Sequence, residues 1–100
     1  MAEEKLTQQK ARDLGIREGA THFNAIIFIP RQKEAGYRGY DRGYDFPNLD
    51  DACKWALARF QELTQEGVNP RSIMVSAVKG EASALVRTYV PDRGWTVVRL

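Results

Sequence analysis

Apolar residues recur at helical spacing in one long segment of the chain and alternate with polar residues in several shorter ones. From Leu49 to Leu63 they form a wide stripe at intervals of three and four residues. Asn48 is a favourable N-cap before this stripe, and Gly67 can adopt the left-handed conformation that often ends a helix. The pattern therefore predicts a helix over 48–66 with one buried face.

Strand patterns surround this helix on both sides. Residues 23–29 become apolar on both faces in their second half, and residues 73–78 are mostly apolar, so both are predicted to be buried strands. Residues 85–90 and 95–100 flank a turn that begins with proline and ends with glycine, which is typical of a hairpin. Through a right-handed crossover, the strands at 23–29 and 73–78 can form one parallel pair.

The segment 31–47 is an imperfect repeat of Gly-Tyr units interspersed with arginine and aspartate. If residues 40–46 are extended, one face carries Tyr40, Arg42, Tyr44 and Phe46. The segment is either a strand that forms a hairpin with 23–29 or a long loop. Compact domains rarely keep a long loop that has no use.

The N-terminal residues 1–18 are polar and rich in good helix formers. Their apolar positions are sparse, and Gly15 interrupts the pattern, so we expect a short, frayed helix that docks weakly. All elements together predict one α+β domain over residues 1–100. In it, the helix 48–66 packs on one face of a mainly antiparallel sheet of four or five strands.

Composition agrees with one small folded domain and limits its location. The chain has 100 residues, 43% of them hydrophobic, and a formal net charge of +2. Its single cysteine, Cys53, excludes an intramolecular disulfide, and residues 1–10 do not resemble a signal peptide. The longest apolar run is far too short to span a membrane. We therefore expect a cytoplasmic protein that does not bind membranes.

Residues with catalytic or metal-binding chemistry are scarce. His22 is the single histidine, and Cys53 lies on the apolar stripe, which indicates a buried and unreactive thiol. Helix capping explains Asp50 and Asp51 better than acid–base catalysis does. The segment Asp41–Asp45 resembles the start of a calcium loop but lacks its later glycine and glutamate. The sequence predicts no enzymatic activity, no cofactor and no metal.

Tyrosine and arginine are concentrated in the Gly-Tyr segment, which makes it the strongest candidate for a binding surface. Tyrosine offers a large amphipathic contact area at low entropic cost, and arginine makes directional hydrogen bonds. These residues predict a small accessory protein that binds a larger protein, inhibitor- or adaptor-like, as phage- and plasmid-encoded proteins often are. They also suit a purely structural hairpin whose tyrosines cover the sheet. The candidate partner-binding residues are Tyr37, Arg38, Tyr40, Arg42 and Tyr44.

A nucleic-acid-binding regulator is the alternative function. Basic residues of the 31–44 segment and of the C-terminal sheet could contact phosphates, while the tyrosines stack on bases. Two acidic residues within the same segment, Asp41 and Asp45, would repel phosphates and weaken this alternative.

The C-terminal strand predicts self-association. Residues 95–100 are apolar on both faces, and an edge strand of this kind needs a cover. We expect a homodimer whose interface is built around Arg87, Tyr89 and Val98. With Val90 paired to the first residue after the turn, these three residues would share one face.

Overall fold

The computed structural model describes residues 2–30 and 39–99. Two strands lie between the two described helices, and three strands follow the second helix. This order is the predicted one. The elements in these ranges are α1 (Ala2–Glu18), β1 (His22–Phe28), β2 (Tyr40–Phe46), α2 (Leu49–Gln65), β3 (Ser72–Lys79), β4 (Ala82–Val90) and β5 (Gly94–Val97).

The five strands form one antiparallel sheet in the order β2-β1-β3-β4-β5. This confirms the predicted α+β fold with its mainly antiparallel sheet and long helix. Because β2 pairs with β1, the structure also decides between the two interpretations of the Gly-Tyr segment: residues 40–46 are a strand. Cross-strand pairing defines which residues share a face of the sheet.

One face of the sheet packs against α2 and contains the core. Two rows of paired residues cross this face. The first row is Asp41, Ile27, Ile73, Tyr89 and Trp95, and the second is Gly43, Ala25, Val75, Arg87 and Val97. Ala52, Ala56, Phe60 and Leu63 of α2 are buried against this face. The alternating pattern of each strand and the helical stripe meet here, which buries both.

The ends of α2 follow the signals in the sequence. The Asn48 side chain accepts a hydrogen bond of 2.8 Å from the Asp51 N–H and so caps the first turn. At the other end Gly67 has a φ of 83°, and the Val68 N–H donates to the Leu63 carbonyl over 2.9 Å. Val68 is then buried against the core, as expected for a Schellman-type end.

The suggested parallel pair of the first and third strands is wrong. Strand β3 runs antiparallel to β1 along its whole length, from His22↔Val78 to Phe28↔Ser72. The reason is that β2 reverses the chain direction before α2 begins. The helix therefore connects β2 to β3, and β1 lies between them antiparallel to both.

The register of the C-terminal hairpin also differs from the prediction by one residue. Tyr89 pairs with Trp95, and Val90 pairs with Gly94. The turn has three residues instead of four, because Gly94 adopts a positive φ of 73° and joins the strand as a bulge. A shift of one residue moves side chains to the other face, so Trp95 lies on the same face as Arg87 and Tyr89.

Helix α1 packs on β3 and β4 and makes no contact with α2 within the described residues. Ala77 belongs to the core beside α2, and the next residue of β3, Val78, points to the opposite face of the sheet. Val78 is nevertheless buried, and so is Ile16 of α1. These observations place α1 on the opposite face of the sheet. The helix continues past Gly15 to Glu18, because Arg17 bonds to the carbonyls of Leu85 and Val98, 2.9 and 2.7 Å away.

The two helices are therefore offset towards opposite edges of the sheet. Helix α2 lies over β2, β1 and β3, and α1 lies over β3 and β4 of the other face. Neither described helix lies above two areas of the sheet: the face of β2 and β1 away from α2, and the α2-side face of β4 and β5. Both areas carry large side chains.

A substitution at Gly43 tests the packing of β2 under α2. A Cβ atom at Gly43 would lie 2.7 Å from the Trp55 ring and 2.8 Å from the Phe46 ring. We expect Gly43→Ala to lower the free energy of unfolding by about 1–3 kcal/mol through overpacking. Gly15→Ala is the control, since nothing lies within 4 Å of its Cβ position and alanine favours the helix. Urea unfolding measures both, and equal stability of the two variants would contradict the packing.

Candidate functional site

Strand β2 presents its tyrosines and arginine on the face away from α2. Tyr40 and Tyr44 are 46% and 57% exposed, and Arg42 between them is exposed as well. Asp41 and Gly43 alternate with them and face α2. The predicted sharing of one face by Tyr40, Arg42 and Tyr44 is confirmed, and we refer to these three residues as the tyrosine row.

The side chains of the tyrosine row contact one another. The Arg42 guanidinium lies 4.3 Å from the centre of the Tyr40 ring, a cation–π geometry. Its Nη1 donates a hydrogen bond of 3.3 Å to the Tyr44 hydroxyl, and this bond raises the pKa of Arg42. The guanidinium thus holds one tyrosine on each side, which reduces the side-chain freedom that a partner would have to restrict.

Phe46 does not belong to this row, contrary to the prediction. The pairs Phe23↔Phe46 and Ala25↔Gly43 leave two residues of β2 opposite one residue of β1. Asp45 takes a φ of 60° in this bulge, and its N–H donates to the Asn24 side chain over 3.1 Å. The bulge turns Phe46 towards α2, where its ring lies 5.5 Å from that of Trp55.

An ion pair fixes the other side of β2 to α2. Arg59 Nε donates to Asp41 Oδ2 over 2.7 Å, with both side chains about two-thirds buried. Bonds to Asp41 and Glu62 raise the pKa of Arg59. Asp41 also accepts a bond of 2.9 Å from the backbone N–H of Arg42 through its other oxygen. The sequence interpretation treated Asp41 as an acid opposing phosphate and missed this anchoring role.

The hydrogen bond from the Arg42 N–H to Asp41 also affects the outer edge of β2. The Ile29 N–H bonds to the Gly39 carbonyl, so by antiparallel alternation the backbone groups of Tyr40 and Arg42 point away from β1. Asp41 occupies the outward N–H of Arg42. A carboxylate at this position discourages addition of another strand, so we expect contacts through the side chains of the tyrosine row.

Apolar side chains of neighbouring strands extend the tyrosine row into a larger surface. Phe28 pairs with Tyr40 and is 37% exposed, and Ile26 pairs with Arg42. Met74 of β3 lies beyond Ile26 and is half-buried. Neither helix contacts β1 or β2 on this face within the described residues. Among the residues that the structure describes, an aromatic and aliphatic surface therefore surrounds a single cation, Arg42.

The remaining predicted partner-binding residues, Tyr37 and Arg38, lie outside the described residues. The same holds for Arg31 and Lys33 of the nucleic-acid alternative. Two basic residues of the described sheet, Arg42 and Arg87, lie on opposite faces. Arg42 faces away from α2, whereas Arg87 lies on the α2 side, in the same row as Gly43, Ala25 and Val75. These two cations cannot contact one phosphate backbone from the same face of the sheet.

The residues predicted for self-association, Arg87, Tyr89 and Val98, have different surroundings. The Tyr89 ring packs edge-on against Phe60 at 5.3 Å and against Trp95 at 5.2 Å. Arg87 faces the same side, beside α2. The backbone of Val98 is held by Val86 and Arg17 over 3.1 and 2.7 Å. Tyr89 is thus largely a packing residue, and the homodimer stays a prediction.

The two candidate catalytic side chains, His22 and Cys53, belong to different elements, β1 and α2. His22 lies 3.5 Å from Asp45 at the surface, and Cys53 lies on α2. Burial raises the pKa of the Cys53 thiol, an effect that Asp50 adds to and Arg87 opposes. Within residues 2–30 and 39–99, no three His, Cys, Asp or Glu side chains lie close enough to hold a metal ion.

Comparison with known protein families, with curated proteins and with solved structures found no match to this chain. In the part of the chain that the structure describes, neither helix is long and apolar enough to cross a membrane. Functional inference therefore rests on the surfaces themselves.

The reactivity of Cys53 tests whether its thiol is buried between α2 and the sheet. Because burial raises its thiol pKa, alkylation by iodoacetamide should show a rate midpoint above the ordinary value of 9.0. The rate is measured as a function of pH by mass spectrometry, with a small free thiol as the reference. A midpoint below that of the reference thiol would contradict the burial of Cys53.

The anchoring of β2 is tested by a double-mutant cycle of Asp41→Asn and Arg59→Gln. We expect a coupling free energy of about 1 kcal/mol, because both side chains are largely removed from water. The pair Asp50–Lys54 is the control, since both of its side chains are 75% exposed and its coupling should be much smaller. Equal coupling in the two cycles would contradict the anchoring role.

Proposed function

We propose that this chain is a non-enzymatic binding module that docks on a larger protein through the tyrosine row and the apolar residues beside it. The observation that carries the proposal is the exposed and mutually bonded set Tyr40, Arg42 and Tyr44 on the open face of β2. We further propose a cytoplasmic location, based on the single cysteine.

The composition of this surface favours a protein partner. Interface centres are rich in tyrosine, arginine, phenylalanine and methionine, and all four types occur here in Tyr40, Arg42, Phe28 and Met74. In the described part of this surface, Arg42 lies among aromatic and aliphatic side chains, which suits a partner that presents an apolar patch with an acidic or carbonyl acceptor. Such contacts suit an inhibitor or adaptor that acts by occupying a surface.

Nucleic acid is supported less well than protein. Non-specific binding to phosphates requires several cations that act together on one surface. On the face of β2 away from α2, the described neighbours of Arg42 are the uncharged residues Ile26, Phe28 and Met74. Asp45 follows the tyrosine row in β2. The proposed binding therefore should not weaken steeply with salt.

The test uses the immobilised chain, lysate of the cells that express it, and quantitative mass spectrometry of captured proteins. We expect at least one protein whose capture falls about tenfold or more with Tyr40→Ala and with Arg42→Ala, as for interface anchor residues. The same protein should be captured by Tyr40→Phe, which keeps the aromatic ring over the guanidinium.

Arg93→Ala is the matched control for the arginine change, because Arg93 is an exposed arginine in the turn between β4 and β5. This variant should capture the partner as the unaltered chain does. The proposal is wrong if every captured protein is indifferent to Tyr40→Ala and Arg42→Ala. It is also wrong if the material whose capture depends on Tyr40 and Arg42 is nucleic acid. Nuclease treatment and high salt would then remove that material.

A further inference from the structure

A groove of about 260 Å³ lies between α2 and the β4–β5 hairpin, on the other side of the sheet from the tyrosine row. It exists because α2 packs over β1, β2 and β3 and reaches β4 only through side chains such as Phe60. Its size is close to the lower limit of small-molecule sites. The groove is lined by Asp50, Cys53, Lys54, Leu57, Arg87 and Trp95.

The apolar wall of the groove is held in place by ring packing. Trp95 lies 5.2 Å from Tyr89, whose ring packs edge-on against the buried Phe60 at 5.3 Å. Cys53 and Leu57 stand one turn apart on α2 and form the opposite wall. A flat apolar group that enters here meets a preformed surface and requires little reorganisation of the protein.

The polar rim of the groove carries an excess of positive charge. Lys54 is paired with Asp50 over 3.0 Å, so these two charges offset each other. Arg87 has no carboxylate within ion-pair distance among the residues that the structure describes. Its Nη1 donates to the Val86 carbonyl over 2.8 Å, and the remaining N–H groups can bind a ligand.

A bulge in β4 directs Arg87 to this position. Val75 pairs with Arg87 and Ser76 pairs with Leu85, which leaves Val86 as the extra residue. Without the extra residue, the alternation along β4 would place position 87 on the α1 side of the sheet. An irregular strand thus brings a half-buried, unpaired cation beside Trp95.

We propose that this groove is a second binding site, separate from the proposed partner surface, for a small organic acid with an apolar, preferably aromatic, body. The ring lies between Leu57 and Trp95, and the acid group accepts hydrogen bonds from Arg87. A carboxylate matches the planar donor geometry of a guanidinium, whereas a neutral polar group offers weaker acceptors.

The test compares phenylbutyrate with phenylbutanol, which have the same ring and chain but differ in charge. Heteronuclear NMR titration of the full chain should show saturable shifts at Cys53, Leu57, Arg87 and Trp95. Phenylbutyrate should bind about fivefold more tightly than the alcohol, as expected for one partly exposed charged hydrogen bond. With Arg87→Gln, the two compounds should bind with equal affinity.

Two further variants complete the design. Arg93→Gln removes an arginine from the same hairpin and should preserve the preference for the acid. Leu57→Ala should weaken both compounds equally, since it alters only the apolar wall. Equal binding of acid and alcohol to the unaltered chain, shifts outside the groove, or no saturable shift at millimolar concentrations overturns the proposal. A preference that survives Arg87→Gln, with spectra otherwise unchanged, overturns it as well.

Discussion

One helix on each face cannot cover a five-stranded sheet, and most features of this molecule follow from that constraint. A helix with its side chains is about 10–12 Å wide, whereas five strands span about 19 Å between the outermost backbones. Helix α2 lies over β1–β3, and α1 lies over β3 and β4 on the opposite face. The central strand β3 is therefore covered on both sides, and each face keeps one corner that neither described helix covers.

The two corners differ in chemistry, which is why we assign them different roles. The outer face of β2 carries the tyrosine row, an exposed set of side chains that a bulge and the Asp41–Arg59 pair hold in place. The α2-side face of β4 and β5 carries a concave groove with Arg87, which has no ion-pair partner among the described residues. A flat aromatic surface suits a protein partner, and a concave site with one cation suits a small anion.

The sequence predicted the elements well and their registers poorly. The capped stripe of 48–66 and the strand patterns depend on local periodicity, so order, fold class and the face of Tyr40, Arg42 and Tyr44 could be predicted. Both register errors occur at residues with positive φ, Asp45 and Gly94, where one extra residue changes the face. The wrong parallel pair has another cause, since β2 reverses the chain direction before α2 begins. Nothing in local periodicity reveals such positive-φ residues, and the groove beside Arg87 could not be foreseen without them.

The described residues leave the tyrosine row uncovered, whereas α2 covers the opposite face of β1, β2 and β3. Hydroxyl-radical footprinting with mass spectrometry tests this arrangement most directly, with each rate normalised to the intrinsic reactivity of the residue type. Tyr40 and Tyr44 should be oxidised with little protection, and Phe60, which is 6% exposed, should be strongly protected. Protection of Tyr40 and Tyr44 equal to that of Phe60 would show that this face is covered and would contradict the account.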